Sequence, residues 1–291
     1  MKLQSQCLPC LLSQLLGLSH RVSVDVDEQN RVTRLLTETL RDRMPWDATP
    51  AAVSGVMLET LVKRYGEECD LYRREKDVST ELAKHVLAGL EGEISRQSEC
   101  FALLLRLAIG GNIIDFGIDD GYDLVQAARR QLLEVVGMPV DMAMVEEIRE
   151  RVATAQHVFY ILDNCGEAVF DARLLQEFPA GRVTLGVRSP GVLNDVNAQD
   201  LEASGLGGYP WVATGSRVPG VVLEQCSSAF RTHLEKADLV IAKGQGNFET
   251  LSEYDDIPVY CLFRAKCPVV CRELGSVPFG SLQIIRLPLS R

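Results

Sequence analysis

The chain has 291 residues, of which 46% are hydrophobic and 24% are charged, a composition typical of a folded globular protein and not of a disordered one. Its formal net charge of −10 argues against nucleic acid as the main partner, because a polyanion would be repelled by the surface as a whole. The nine cysteines are odd in number and scattered, which favours reduced thiols in a reducing compartment.

The opening stretch, MKLQSQCLPCLLSQLLGL, is apolar enough to be compared with a secretion signal. Ser13 and Gln14 interrupt its apolar run, and no small-residue cleavage site follows. Elsewhere no apolar run has the length that a membrane-spanning helix requires. The sequence therefore predicts a cytoplasmic protein that does not enter a membrane.

Helical signals dominate residues 1–110. Asp25 followed by Glu28 resembles a capping box, and Thr49 followed by Pro50 is a typical helix start. Apolar residues at helical spacing follow both starts, whereas strand-like runs are nearly absent. We therefore expect a helical bundle or cap over this region.

From residue 111 to residue 291 the pattern changes. Two more helices are expected near residues 122–136 and 141–156, and apolar, β-branched runs then alternate with helical ones. The runs that predict strands are HVFYIL, RVTLGVR, PWVAT, ADLVIAK, PVYCLF and LQIIRL. This alternation favours an α/β domain in which a mainly parallel sheet is covered on both faces.

Polar residues directly follow most of the predicted strands. Asp163 and Asn164 follow the first strand, and Asn194 and Asp195 lie in the loop after the second. Residues 243–249 follow the fourth strand, and residues 264–267, which include Lys266, follow the fifth. Because parallel strands present their carboxyl ends at one edge of a sheet, we expect these residues to converge on one crevice. The simpler explanation of each is a turn or a helix cap, since Asp and Asn form both.

The residue types at this edge suit metal and phosphate chemistry. Two carboxylates and one amide offer only oxygen ligands, which Mg²⁺ and Mn²⁺ prefer. The stretch KGQGN has glycines that let backbone N–H groups approach an anion, and Lys243 adds a positive charge. It is not a Walker A motif, because the lysine precedes the glycines. A metal beside an anion site is typical of phosphoryl transfer.

Six motifs occur along the chain in the order CLPC, GNIIDFG, DNCGEAVFD, VLNDV, KGQGNFE and AKCPVV…LG. Their joint occurrence resembles the damage-control phosphatase family, formerly the domain of unknown function number 89, and most of all its compact prokaryotic branch. The likeness covers nearly the whole chain. It implies a helical N-terminal region packed on a three-layer α/β/α domain, and metal-dependent hydrolysis of small phosphate monoesters such as sugar phosphates or phosphorylated side products.

The resemblance also implies roles for individual residues. It matches Asp163, Asn164 and Asp195 with ligands of a divalent cation, for which Mg²⁺, Mn²⁺, Co²⁺ and Ni²⁺ are the candidates. The residues expected to serve catalysis are Lys243, Glu167, Asp115 and Asn112. The residues expected to contact the phosphorylated substrate are Lys243, Gly244, Gly246, Asn247 and Lys266.

The cysteines form a separate pattern, with Cys7 and Cys10 in a CxxC and with Cys267 and Cys271 in a wider pair. Four thiolates could form a structural zinc site if the pairs met, whereas a lone CxxC could be redox-active or simply apolar. The sequence supports none of these interpretations over the others.

Two rival functions use the same features. A non-catalytic sensor of phosphorylated metabolites would bind its ligand at the same anion site without turnover. A carboxyl methyltransferase would need a glycine-rich cofactor turn after the first strand, where DNCGE has one glycine. The sequence therefore favours the phosphatase.

Overall fold

The structure, a computed structural model, describes residues 1–66, 70–96, 100–111 and 124–289. The helices that precede residue 111 are α1 Leu8–Val22, α2 Val26–Arg43, α3 Pro50–Tyr65, α4 Arg73–Ile94 and α5 Cys100–Gly110. The helices that follow it are α6 Leu124–Val136, α7 Met142–Thr154, α8 Cys165–Leu175, α9 Ser228–Lys236, α10 Gln245–Leu251 and α11 Pro268–Glu273. The strands are β1 Val158–Ile161, β2 Val183–Val187, β3 Trp211–Ala213, β4 Leu239–Lys243, β5 Val259–Arg264 and β6 Leu282–Leu287.

The six strands of the described chain form one sheet in the order β3-β2-β1-β4-β5-β6. Every neighbouring pair is parallel except β5 and β6, which run antiparallel. The prediction of a mainly parallel sheet built from these six runs is confirmed. The chain order reverses between β1 and β4, and this reversal opens a crevice at the carboxyl ends of those two strands.

Alternate residues of each strand face opposite sides of the sheet and enter two different hydrophobic cores. Phe159 and Ile161 of β1 lie in the core formed with α1–α3 and α9–α11. Val158 and Tyr160 lie in the core formed with α4–α8. Helices therefore cover both faces, which confirms the α/β class and its three layers.

The helices before residue 111 contribute to both outer layers, because α1–α3 lie on one face of the sheet and α4 and α5 on the other. A division into a cap of residues 1–110 and a catalytic domain of residues 111–291 stays a prediction. The predicted helix starts are confirmed: Asp25 accepts a hydrogen bond from the backbone N–H of Glu28 at 3.1 Å, and Thr49 accepts one from Ala52 at 3.2 Å. Among the residues described, no helix combines the length and apolar character needed to cross a membrane.

Candidate active site at the carboxyl edge of the sheet

Asp163 and Asn164 lie just beyond the end of β1, at the crevice where the strand order reverses. Asn164 occupies the N-cap position of α8 with extended backbone angles, yet its side chain makes no capping hydrogen bond. Its amide nitrogen instead donates to Oδ2 of Asp163 at 3.2 Å. The explanation of Asn164 as a side-chain helix cap is therefore wrong, while metal binding by Asp163 and Asn164 stays a prediction.

Asp195 is brought to the same place by backbone hydrogen bonds. The N–H of Val196 donates to the carbonyl of Asp163 at 2.7 Å, and the N–H of Cys165 donates to the carbonyl of Asn194 at 3.1 Å. These bonds place Asn164 and Asp195 opposite each other in an isolated antiparallel bridge. The three oxygen-bearing side chains predicted to share one site do converge.

Arg188, which the sequence reasoning missed, fixes the orientation of Asp195. It is 1% exposed, and its Nε donates to Oδ2 of Asp195 at 2.8 Å. Its other nitrogens donate to the carbonyl of Gly220 at 3.0 Å and to Oδ1 of Asn247 at 2.7 Å. One sequence signal was present, since an arginine at the end of the buried run RVTLGVR needs an internal partner.

The acidic residues are buried close together. Burial raises the pKa of Asp163 well above its usual value, and the nearby charges of Asp195 and Glu167 add to the shift. Burial also raises the pKa of Asp195, although Arg188 opposes the change. Crowded carboxylates of this kind are stabilised by a cation bound between them.

This set of groups fits a hard divalent cation, because it consists of carboxylate and amide oxygens. The predicted ligands include only two carboxylates, and within the described residues no group of three or more His, Cys, Asp or Glu side chains is arranged to hold a metal ion. Asn164 and oxygens from water or substrate would therefore complete the coordination.

Lys243, at the end of β4, lies in a buried ionic cluster. Its side chain is fully buried, and its amine donates to Glu167, to Oδ1 of Asp171 at 2.8 Å and to the carbonyl of Ala108 at 2.9 Å. The hydroxyl of Tyr160 donates to the same Asp171 oxygen at 2.7 Å. Burial would lower the pKa of Lys243, but Asp171 and Glu167 raise it above its ordinary value. The lysine therefore stays charged.

The glycines of KGQGN make close backbone contacts. Gly244 has φ of +82°, and a Cβ atom there would lie 1.9 Å from Oδ2 of Asp163, so only glycine fits against this carboxylate. A Cβ at Gly246 would lie 2.2 Å from the carbonyl oxygen of Pro219. Asn247 is fully buried and donates to the carbonyl of Lys243 at 2.6 Å while it holds Arg188. Phosphate contacts from these residues stay a prediction.

Lys266 lies two residues beyond the end of β5 and is half-buried. Its backbone N–H donates to Oε1 of Gln245, the first residue of α10, at 2.9 Å. Its positive charge acts on Asp163, where it opposes the rise in pKa. Lys266 is thus a cation whose charge acts on Asp163. Asn112 and Asp115, the other predicted catalytic residues, lie outside the described residues.

The two cysteine pairs come near each other in the fold. The side chain of Arg272 in α11 donates to Gln6, which brings the N-terminal turn beside this helix. Cys7 and Cys271 are buried in one core, and Cys267 packs against it. Burial raises the pKa of Cys7 and of Cys271, and Cys267 adds to both shifts. None of the cysteines that the structure describes forms a disulfide.

The fold and the site define an α/β protein in which carboxylate and amide side chains gather at the switch point of a mainly parallel sheet. The family model of the damage-control phosphatase ARMT1-like domain matches residues 3–278. The chain belongs to this family, which supports a phosphatase role. The resemblance drawn from the six motifs is therefore confirmed.

Individual relatives agree with this assignment. The chain is 34% identical over 291 residues to damage-control phosphatase PH1575 of Pyrococcus horikoshii, covering 98% of each chain. It is 25% identical over 283 residues to a damage-control phosphatase of Archaeoglobus fulgidus, covering 94% of this chain and 96% of that one. The crystal structure of PH1575, a DUF89 family protein, superposes with a TM-score of 0.85 at 32% identity, covering 98% of this chain and 99% of that one.

Proposed function

We propose that the chain is a metal-dependent phosphatase that hydrolyses small phosphate monoesters, such as sugar phosphates or damaged phosphorylated metabolites. The observation that carries the proposal is the convergence of Asp163, Asn164 and Asp195 at the switch point of the sheet. A divalent cation held there would supply positive charge to a phosphate oxygen and would favour deprotonation of an attacking water.

The protein's own residues hold this arrangement in place. Asp163 and Asp195 provide negative charge for the cation, and Asn164 provides an amide oxygen. Arg188 binds one carboxylate oxygen of Asp195 and thereby orients the other. Because Arg188 is itself bonded to Gly220 and Asn247, the loop after β3 and the first turn of α10 also contribute to the position of Asp195.

We assign the phosphate contact to Lys266 in preference to Lys243. The charge of Lys266 already acts on Asp163, and its side chain is half-buried. The amine of Lys243 is fully buried and donates to Glu167, Asp171 and Ala108. A phosphate bound to Lys243 would have to replace one of these oxygens, whereas the charge of Lys266 acts on the predicted ligand Asp163.

A screen of phosphate esters tests the proposal. The purified chain is freed of metal with a chelator and then assayed for phosphate release from a hexose phosphate, a pentose phosphate, a nucleotide and p-nitrophenyl phosphate. We expect release after addition of Mg²⁺, Mn²⁺, Co²⁺ or Ni²⁺ and none in excess chelator. Full activity in chelator would contradict the metal requirement. Saturable binding of an ester without release would instead support the non-catalytic sensor.

A further inference from the structure

One helix, α4, contacts both segments that carry the predicted metal ligands. A Cβ atom at Gly166, in the first turn of α8, would lie 3.0 Å from Cβ of Ser79 and 3.2 Å from its carbonyl oxygen. The turn that follows Asp163 and Asn164 is therefore pressed against α4, which explains the glycine in DNCGE better than a tight turn does. Lys76 lies on the same face of α4, three residues before Ser79.

Lys76 is fully buried and takes part in an ionic network with Asp200, which lies in the same loop as the predicted ligand Asp195. Its amine lies 3.3 Å from Oδ2 of Asp200 and 3.3 Å from Oδ2 of Asp70. Arg73 donates to the second oxygen of Asp200 at 2.6 Å. Burial would lower the pKa of Lys76, but Cys165, Asp200 and Asp70 raise it, so the amine stays charged. A buried charge with these partners fixes their positions, because separating them would leave them unpaired.

Asp200 connects Lys76 to the loop that contains Asp195. The backbone N–H of Asn197 donates to Oδ2 of Asp200 at 2.9 Å, and Oδ1 of Asn197 accepts from the N–H of Gln199 at 2.8 Å. These reciprocal bonds form a capping box at the short 3-10 turn Ala198–Asp200. Asn197 also pairs with Arg188 in a parallel bridge. Asn197, two residues beyond Asp195, is therefore held by Asp200 on one side and by the backbone of Arg188 on the other.

We propose that Lys76 is a positioning residue of the active site, which acts through Asp200 to hold Asp195 in its metal-binding position. This inference deepens the proposed function and rests on it, since it takes Asp195 to be a metal ligand. Groups that orient metal ligands typically change metal affinity or activity by about 10- to 100-fold when they are removed.

The substitution Lys76→Met distinguishes a role of Lys76 in placing Asp195 from a purely electrostatic effect of its charge on the bound cation. Loss of a positive charge near Asp195 would by itself strengthen cation binding, whereas loss of positioning weakens it. We expect about tenfold weaker Mn²⁺ binding by calorimetry without substrate, and kcat/KM reduced about tenfold at limiting Mn²⁺. We also expect faster hydrogen exchange in residues 192–200. Lys84→Met, on the same helix with a side chain that is 41% exposed, should change none of these values.

Asp200→Asn and the double variant with Lys76→Met complete the test. If Lys76 acts through Asp200, each single variant weakens Mn²⁺ binding. The Mn²⁺ affinity of the double variant then lies within about twofold of that of the single variant that binds more weakly. Unchanged or tighter Mn²⁺ binding in folded single variants, with unchanged exchange in residues 192–200, would overturn the proposal. If Lys76→Met does not fold, Asp200→Asn decides alone, because it keeps the side-chain volume.

Mn²⁺ affinity measured without substrate keeps this outcome distinct from that of the proposed function. A wild-type chain that bound Mn²⁺ but released no phosphate would refute the phosphatase, while the affinities would still test Lys76. A wild-type chain that bound no cation would refute both the metal site and the role of Lys76 in it.

Discussion

The ends of β1 and β2 differ from the end of β4 in how their charges are balanced. Asp163 and Asp195 are crowded and buried, and the pKa of each is raised in spite of Arg188. Lys243, at the end of β4, has two carboxylates in direct contact, and these raise its pKa. The acidic pair would be stabilised by an added cation, whereas the lysine has its counter-charges within the protein.

This difference indicates which charged groups stabilise the fold and which can bind a ligand. A charge that already has bonded partners inside the protein stabilises the fold, and its removal leaves those partners buried and unpaired. Asp163 and Asp195 repel each other, and Arg188 bonds one oxygen of Asp195, so this pair can still gain a cation from outside. We therefore expect substitutions in the acidic pair to remove activity and a substitution of Lys243 to reduce stability.

The largest effect is expected for Asp195→Asn. The substitution keeps the side-chain volume and an oxygen that can accept from Arg188, but it removes the charge that holds the cation. The metal contributes several kcal/mol to catalysis, so we expect kcat/KM to fall on the order of a thousandfold or more. Turnover with saturating metal, alongside thermal unfolding, measures the effect. Full turnover in a folded variant would show that Asp195 is not a metal ligand.

The next largest effect is expected for Lys243→Met, in stability. Removing one partner of a buried ion pair costs about 3–5 kcal/mol in the free energy of unfolding. The pKa of Asp171 is already raised from 3.8 to about 6, chiefly by burial, and loss of the lysine would raise it further. A carboxyl group with a raised folded pKa contributes stability that is lost as pH rises through that pKa, so the variant should lose stability with rising pH and be weakest above its own raised Asp171 pKa.

Urea unfolding of wild type and Lys243→Met at pH 5 and pH 8 measures this loss. Tyr160→Phe is the matched control, since it removes a neutral hydroxyl from the same Asp171 oxygen, and a typical hydrogen bond contributes about 1 kcal/mol. The contrary result is a Lys243→Met chain with wild-type stability and a reduced kcat/KM, as expected of a phosphate contact.

The strands and the acidic site could be predicted because their signals are local. Each strand is a short apolar run, and Asp163 lies two residues beyond the end of β1. The partners of the buried cations could not be predicted. Lys76 and Asp200 are 124 residues apart in sequence, and Lys243 and Asp171 are 72 apart.

A lysine after an apolar strand has the same sequence pattern whether it meets solvent, a phosphate or a buried carboxylate. Lys243 and Lys266 both follow strands of the parallel sheet, and only the fold distinguishes the fully buried one from the half-buried one. The antiparallel direction of β6 and the reversal between β1 and β4 also depend on contacts between distant segments. Local patterns therefore located the site, while long-range contacts determined the role of each charge.

The smallest effect is expected for Lys266→Met, and it should appear in kinetics alone. A charge-assisted hydrogen bond to phosphate contributes roughly 1.5–3 kcal/mol, so kcat/KM should fall about ten- to a hundredfold. Metal affinity without substrate should stay the same or rise slightly, because the charge of Lys266 acts on Asp163 and its removal reduces repulsion of the cation. Stability should change little, since the side chain is half-buried. Lys236→Met, at the exposed end of α9, is the control for loss of a lysine charge. If Lys266→Met hydrolyses an accepted ester at the wild-type rate while folded Lys243→Met does not, the phosphate contact belongs to Lys243 and the contrast between the two lysines is reversed.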